Sequence, residues 1–317
     1  MDLLYGTKTL INLFNIPSYT IDTSNFSHLL HDEVVDQFEN EFCEYVGAQY
    51  ACSVSSATNA IFLTFLNKGL TVDVPSIIPP VVCNGLITGG NNVNFVDNIE
   101  WVGDSYVLHS FDDYKVIDSA QKVERDQFTK EANDQDLMIF SFYPTKPVGS
   151  CDGGIIVSND WSKIQRFKES TLNGMTFSKD NWDRRIKFPG YKMYMNSIQS
   201  QIALNNLNKL DEKNKRLVEI REFYNEHLGL KNTSNHLYRI NIGNRDDFIA
   251  SLKKENIQTG IHYSALHKNN VYNTDPVDLP NSFQEGQTTV SIPFHEMLST
   301  KELNTIVERV KKYASRS

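Results

Sequence analysis

Two spacings of apolar residues alternate along the chain. Short unbroken runs, Leu137-Met138-Ile139-Phe140 and Ile155-Ile156-Val157, read as strands buried on both faces. Tyr114-Lys115-Val116-Ile117-Asp118 is a third strand ending on an acid, and Tyr50-Ala51-Cys52-Ser53-Val54 a fourth that runs through small hydroxyl residues into a helix. Ser76-Ile77-Ile78 and Val93-Asn94-Phe95-Val96 add two shorter strand-like units. Between them the spacing changes to helical. Val34, Val35, Phe38, Phe42 and Tyr45 share one face of a helix closed by Gly47, and Ile61, Phe62, Phe65 and Leu66 share a face of the next, capped by Ser55 or Ser56. Residues 161–171 form a surface helix, and Ile198, Ile202, Leu204, Leu207 and Leu210 begin a further one, which Leu217, Val218, Ile220, Phe223 and Tyr224 continue or follow. Strands alternating with helices predict an α/β fold with a mostly parallel central sheet. The tail departs from that rhythm, with strands expected at 236–242 and 257–263 and a helix at 246–255. A capping box, Ser299 with Glu302, opens a last helix bearing Leu303, Ile306, Val307 and Val310.

Composition narrows the class. A chain of 317 residues with 40% apolar content has enough material for a sizeable core, in one large or two medium domains. A net charge of −8 argues against a dominant nucleic-acid or anionic-membrane surface. No apolar run reaches membrane-spanning length, and the first eight residues have no basic region ahead of an apolar stretch, so the expectation is a soluble cytoplasmic protein. The four cysteines, Cys43, Cys52, Cys83 and Cys151, lack CxxC spacing, which predicts no structural metal and a reducing compartment. Residues 1–28 are broken by Pro17 and read as an arm on the body.

The candidate chemistry begins at Lys146, in a loop between an apolar strand and the pair Gly153-Gly154. A lysine held there loses hydration, its pKa falls, and its amine becomes a nucleophile toward a carbonyl. Taken alone, it reads first as a solvated surface charge, as most loop lysines are. Three neighbouring features change that picture: Asp118 at a strand end, Gln121 just beyond it, and the helix start at Ala57-Thr58, whose free N–H groups and hydroxyl suit a phosphate. That helix start is also, on its own, an ordinary N-cap.

Taken in order, Ser55-Ser56-Ala57-Thr58, Asp118-Ser119-Ala120-Gln121 and Ser141-Phe142-Tyr143-Pro144-Thr145-Lys146 before Gly153-Gly154 resemble the DegT/StrS sugar aminotransferases. The resemblance spans about 34–310, with the passage before Asp118 shortened. It implies an aspartate-aminotransferase-like fold, with a large domain over 1–210 and a smaller α+β domain over 211–317. It also implies pyridoxal 5'-phosphate, carried by Lys146 as a Schiff base, with Asp118 on the pyridine nitrogen and Gln121 on the ring hydroxyl. Ala57, Thr58 and Ser141 would hold the phosphate. The reaction implied is transfer of an amino group from L-glutamate, giving 2-oxoglutarate, to a keto group of a nucleotide-linked sugar, in a homodimer with interface sites. A histidine in place of Lys146 would mark the dehydratase branch, so the lysine favours transamination. Two departures stand out in Gly190-Tyr191-Lys192-Met193-Tyr194-Met195: Lys192 replaces an asparagine that reaches the partner's phosphate, and Tyr194 replaces an arginine. Cys83 falls where an aromatic covers the ring, and reads equally as buried packing. His262 and His267 fall near the substrate by the same resemblance, although histidines at a strand end are more often structural than functional. A fold retained for binding or regulation, or a different pyridoxal-phosphate enzyme such as a lyase or amino-acid aminotransferase, would fit the same residues.

Overall fold

The computed structural model describes residues 9–16, 19–177, 184–272 and 278–315. The expected start at residues 1–8 and the break at Pro17 lie outside them. The first helix, α1 (Glu33–Val46), is capped by Asp32 and ends on Gly47 at φ 79, a left-handed position that glycine occupies without strain. It leads through β1 (Tyr50–Val54), α2 (Ala57–Phe65), β2 (Thr71–Pro75), α3 (Pro80–Thr88) and β3 (Asn92–Val96). The chain then forms β4 (Tyr106–Ser110), β5 (Lys115–Asp118), α4 (Gln127–Glu131), β6 (Leu137–Ser141), β7 (Gly154–Ser158) and α5 (Trp161–Thr171). After a short hairpin of β8 (Met175–Phe177) and β9 (Arg184–Ile186), α6 (Ser197–Leu207) and α7 (Leu210–Leu228) follow as two helices. The tail holds β10 (Tyr238–Asn241), α8 (Arg245–Lys254), α9 (Pro280–Thr288), β11 (Thr289–Ile292) and α10 (Thr300–Ala314), with the expected capping box of Ser299 and Glu302 at its last helix.

The central sheet runs β1-β7-β6-β5-β4, with β2 and β3 paired in parallel beside it. Its strands alternate sides along their length. Val54, Val116, Leu137, Ile139 and Ile156 enter one apolar core, while Ala51, Ile117, Met138, Phe140, Ile155 and Val157 enter the other. A third core joins Ile220, Tyr224, Tyr238, Phe248, Ile292 and Val310 with Ile11 from the N-terminal segment. No helix among the described residues is long and apolar enough to cross a membrane.

Several expectations need correction. The sheet is mixed, not mostly parallel: only β5 and β6 pair in parallel, and β1 with β7, β6 with β7, and β4 with β5 are antiparallel. The reason lies in the connections. The turn over 111–114 from β4 to β5 is too short for a parallel return, and the loop over 142–153 from β6 to β7 carries no crossover helix, the usual means of one. The unit expected at Ser76-Ile77-Ile78 ends at Pro75, and Ile77 makes a single bridge to Ala265. No strand forms at 257–263, where Ile257 and Gly260 make isolated bridges to Ile11 and Ser291. Ser56, not Ser55, caps α2.

Candidate active site

The strand directions gather the candidate residues at one edge of the sheet. β7 is antiparallel to both β1 and β6, and β6 is parallel to β5, so β1, β5 and β6 all end on the same side. Asp118 is the last residue of β5, Ser141 the last of β6, and α2 begins just beyond β1. Carboxyl ends of strands in such sheets are the usual ligand edge.

At α2, the Ser56 side chain accepts from the Asn59 N–H, leaving the Ala57 and Thr58 N–H groups without partners among the described residues. Gly154 lies directly behind them. A β-carbon there would sit 2.6 Å from the Ala57 nitrogen, so glycine keeps this helix end open. Gly154 pairs with Ser141 across the ladder, which brings the Ser141 hydroxyl to the same place. The Ser141 hydroxyl accepts from the Tyr143 N–H at 3.3 Å.

The Lys146 loop is braced from behind. The Lys146 N–H donates to the Tyr143 carbonyl at 2.8 Å, Ser150 Oγ donates to the Gln199 carbonyl at 2.8 Å, and Lys213 Nζ donates to the Pro147 carbonyl at 3.0 Å. Lys146 Nζ itself makes no hydrogen bond or ion pair among the described residues. Burial lowers its pKa to about 8, against the pull of the Asp118 charge. Asp118 is 4% exposed; Oδ1 accepts from the Ala120 N–H at 2.9 Å and Oδ2 from the Tyr106 hydroxyl at 3.1 Å. The resemblance implies a low pKa for this acid. Burial instead raises it, with Ala120, Tyr106 and Lys146 opposing, because the protein's own charges do not supply a pyridinium beside it.

The remaining candidates separate. Gln121 is buried; its amide oxygen accepts from the Gly103 N–H at 2.8 Å and its amide nitrogen donates to Tyr263 Oη at 2.9 Å, leaving one amide hydrogen for a ligand. His262 belongs to the Lys146 neighbourhood. Its pKa falls to about 4 through burial, then through the charges of Lys146 and Arg239, and Nδ1 lies 2.8 Å from Ser291 Oγ. His267 does not join the group: its Nδ1 is 2.6 Å from Ser76 Oγ, and its charged neighbours are Lys268, Asp97 and Asp278, so the expected substrate contact gives way to anchoring a loop on the end of β2. Cys83 is fully buried in the first core on α3, where burial pushes its thiol up to about 12. With no accessible surface it cannot lie against a ring, which corrects that expectation in favour of packing. Lys192 is exposed on the segment between β9 and α6, apart from Lys146, and Tyr194 packs on His31 at 4.4 Å between centroids.

Three residues escaped the sequence. Tyr106 reaches Asp118 only through the β4–β5 register, and Trp101 packs on it at 4.7 Å. His236 is buried, and its pKa is driven far down by burial and then by the charges of Lys146, His262 and Lys213. No local pattern marks any of them. A cleft of about 640 Å³, lined in part by Gln121, Pro147, Asn235 and Arg239, borders the group without including Lys146.

The arrangement therefore offers a half-buried, unpartnered amine of lowered pKa, a buried acid whose charge acts on it and an open helix end at the same edge. Pyridoxal phosphate fits these residues: an orphaned amine suits its aldehyde, and the unpartnered Ala57 and Thr58 N–H groups, held against β7 by the lack of a side chain at Gly154, suit its phosphate.

Comparison with known proteins agrees. The profile of the DegT/DnrJ/EryC1/StrS aminotransferase family matches residues 19–97 and 118–311, leaving out the span that carries β4. A UDP-4-amino-4,6-dideoxy-N-acetyl-beta-L-altrosamine transaminase of Campylobacter jejuni is 25% identical, over 92% of this chain and 97% of that protein. The spore coat polysaccharide biosynthesis protein SpsC of Bacillus subtilis is 26% identical, over 87% and 88%. Among solved structures, the aminotransferase TlmJ of Streptoalloteichus hindustanus superposes with a TM-score of 0.82 at 20% identity, covering 97% of this chain and all of that one, 100%. Helicobacter pylori PseC, an aminotransferase of pseudoaminic acid biosynthesis, gives 0.77 at 20% identity, covering 96% and 100%. With matching sequence over most of its length and the same fold, this chain belongs to the DegT/DnrJ/EryC1/StrS aminotransferase family.

Proposed function

We propose that the chain is a pyridoxal-phosphate-dependent aminotransferase that moves an amino group from L-glutamate to a keto group of a nucleotide-linked sugar. The observation that carries this reading is the unpartnered Lys146 amine beside buried Asp118, at the edge where α2 opens. Bound pyridoxal phosphate supplies an electron-accepting ring that makes the hydrogen on the amine-bearing carbon acidic. Lys146 would hold the cofactor through Nζ, and the same amine is the group that would take up and return that proton. A pKa near 8 suits both directions close to neutral pH. Asp118 holds a positive ring nitrogen, and Gln121 gives its remaining amide hydrogen to the ring oxygen. The Ala57 and Thr58 N–H groups, the Thr58 hydroxyl and Ser141 hold the phosphate. His262 faces the substrate side of Lys146.

The relatives named as a nucleotide-sugar transaminase and as a polysaccharide biosynthesis protein support the sugar acceptor. We assign a homodimer in which exposed Lys192 crosses to the partner's phosphate as a point charge. The large cofactor-binding part is assigned to 1–210 and the smaller one to 211–317, where the third core is concentrated. The test is borohydride reduction of the cofactor-loaded protein followed by peptide mapping, which is expected to tag Lys146. A tag on another lysine overturns the assignment, and no visible cofactor band favours a binding or regulatory protein. Turnover of keto acids in preference to keto sugars would make it a different pyridoxal-phosphate enzyme.

A further inference from the structure

We propose that Tyr106 is a positioning residue for Asp118, fixing the plane of its carboxylate through the bond from Oη to Oδ2. The proposal rests on Asp118 being the acid of the site, and it goes beyond that reading by assigning a role to a strand in the span 98–117, which the family profile leaves unmatched.

The hairpin makes the contact. Tyr106 and Asp118 are paired residues of the antiparallel β4–β5 ladder, so their side chains leave the sheet on the same face. The phenol then spans the distance to Oδ2, at 3.1 Å, while the Ala120 N–H takes Oδ1 at 2.9 Å. One donor on each oxygen leaves the carboxylate no freedom to rotate without breaking a buried hydrogen bond. The phenol is itself held. Trp101 packs on its ring at 4.7 Å, and the Trp101 indole N–H donates to the Ile77 carbonyl at 2.9 Å, so the ring cannot swing away with the loop before β4. Burial and the nearby Asp118 charge keep the phenol protonated well past its ordinary range, so it stands as a donor to the carboxylate.

The chemical consequence is opposition to burial. A buried carboxylate tends to take up a proton and thereby lose the charge that holds a positive ring nitrogen. A phenol donating to the ionised form counteracts this and aims the remaining lone pairs of both oxygens outward. The other charged or titratable groups facing Asp118 are Lys146, which also favours the ionised form, and Tyr263.

The experiment follows the Asp118 carboxyl by carbon NMR in the full-length, cofactor-free chain, with Asp118→Asn giving the assignment. Tyr106→Phe removes only the hydroxyl. Asp118 is expected to titrate about one to two pH units higher in that variant. Tyr263→Phe removes a neighbouring phenol that does not bond to Asp118, and is expected to leave the midpoint within a few tenths of a unit. An unchanged midpoint in Tyr106→Phe, or an equal shift in both variants, overturns the proposal. Should Tyr106→Phe not fold, the reciprocal measurement decides: the Tyr106 phenol should ionise at lower pH in Asp118→Asn than in the wild type, and an equal midpoint in the two overturns the proposal. Failure of the wild type to show a cofactor band would remove the aminotransferase reading and leave these titrations untouched, so the two failures are distinguishable.

Discussion

Lys146 shows how one side chain links stability to chemistry. Its pKa falls from 10.5 to about 8 because burial disfavours the ammonium. Between those values the unfolded chain binds more protons than the folded one, so the contribution of this lysine to stability rises with pH through that window. Below about pH 8 the ammonium is buried at a cost of at most about 3 kcal/mol. Lys146→Met is therefore expected to be more stable than the cofactor-free wild type at pH 7, with the difference shrinking from pH 8 to 10.5. Denaturant unfolding across that range checks it, and a pH-independent difference would show that Lys146 is not desolvated. The identity of this lysine was legible because Ser141-Phe142-Tyr143-Pro144-Thr145-Lys146 is contiguous. His236 and Tyr106 were not: His236 comes from a segment far away in sequence, and Tyr106 meets Asp118 only through the register of the β4–β5 hairpin.

The N-terminus of α2 depends on a residue from another element. Ser56 caps it, as the local sequence implies, but the free Ala57 and Thr58 N–H groups stay accessible only because Gly154 at the start of β7 has no side chain. Gly154→Ala would place a methyl 2.6 Å from the Ala57 nitrogen, a separation the backbone must relieve by shifting the helix end. Pyridoxal-phosphate affinity is expected to weaken at least about tenfold, the scale of one lost charge-assisted hydrogen bond, with a lower thermal midpoint. Unchanged affinity in a fluorescence titration would place the phosphate elsewhere. Strands β6 and β7 were visible as apolar runs because both faces are buried. β4 was not, since Val107 on it is 49% exposed and its burial does not alternate in a clean two-residue period.

In the dimer proposed above, the exposed Lys192 is the residue whose assigned role depends on a second copy. If it crosses to the partner's phosphate, Lys192→Ala weakens cofactor affinity about ten- to hundredfold, the effect of losing one charge-assisted contact of roughly 1.5–3 kcal/mol. Mixed dimers with Lys146→Ala should then recover activity, because one hybrid site holds both lysines. Recovery no greater than either single variant would mean that Lys192 acts within its own subunit or stays in solvent.

The sequence by itself carried the family, through short contiguous motifs, and placed the candidate lysine, the strand-end acid and the start of α2, because a loop beside an apolar run, a strand end and a helix cap are each local features. Tertiary structure decided what depends on pairing between distant segments. Antiparallel pairing of β4 with β5 and of β7 with β6 and β1 made the sheet mixed, the first across a tight turn and the second across a loop that carries no crossover helix. The β4–β5 pairing set Tyr106 against Asp118, while packing of α3 into the first core closed off Cys83 and the approach of the 266–268 segment to the end of β2 tied His267 to Ser76. Register and burial are collective properties of the packed chain, and no local window of residues contains them.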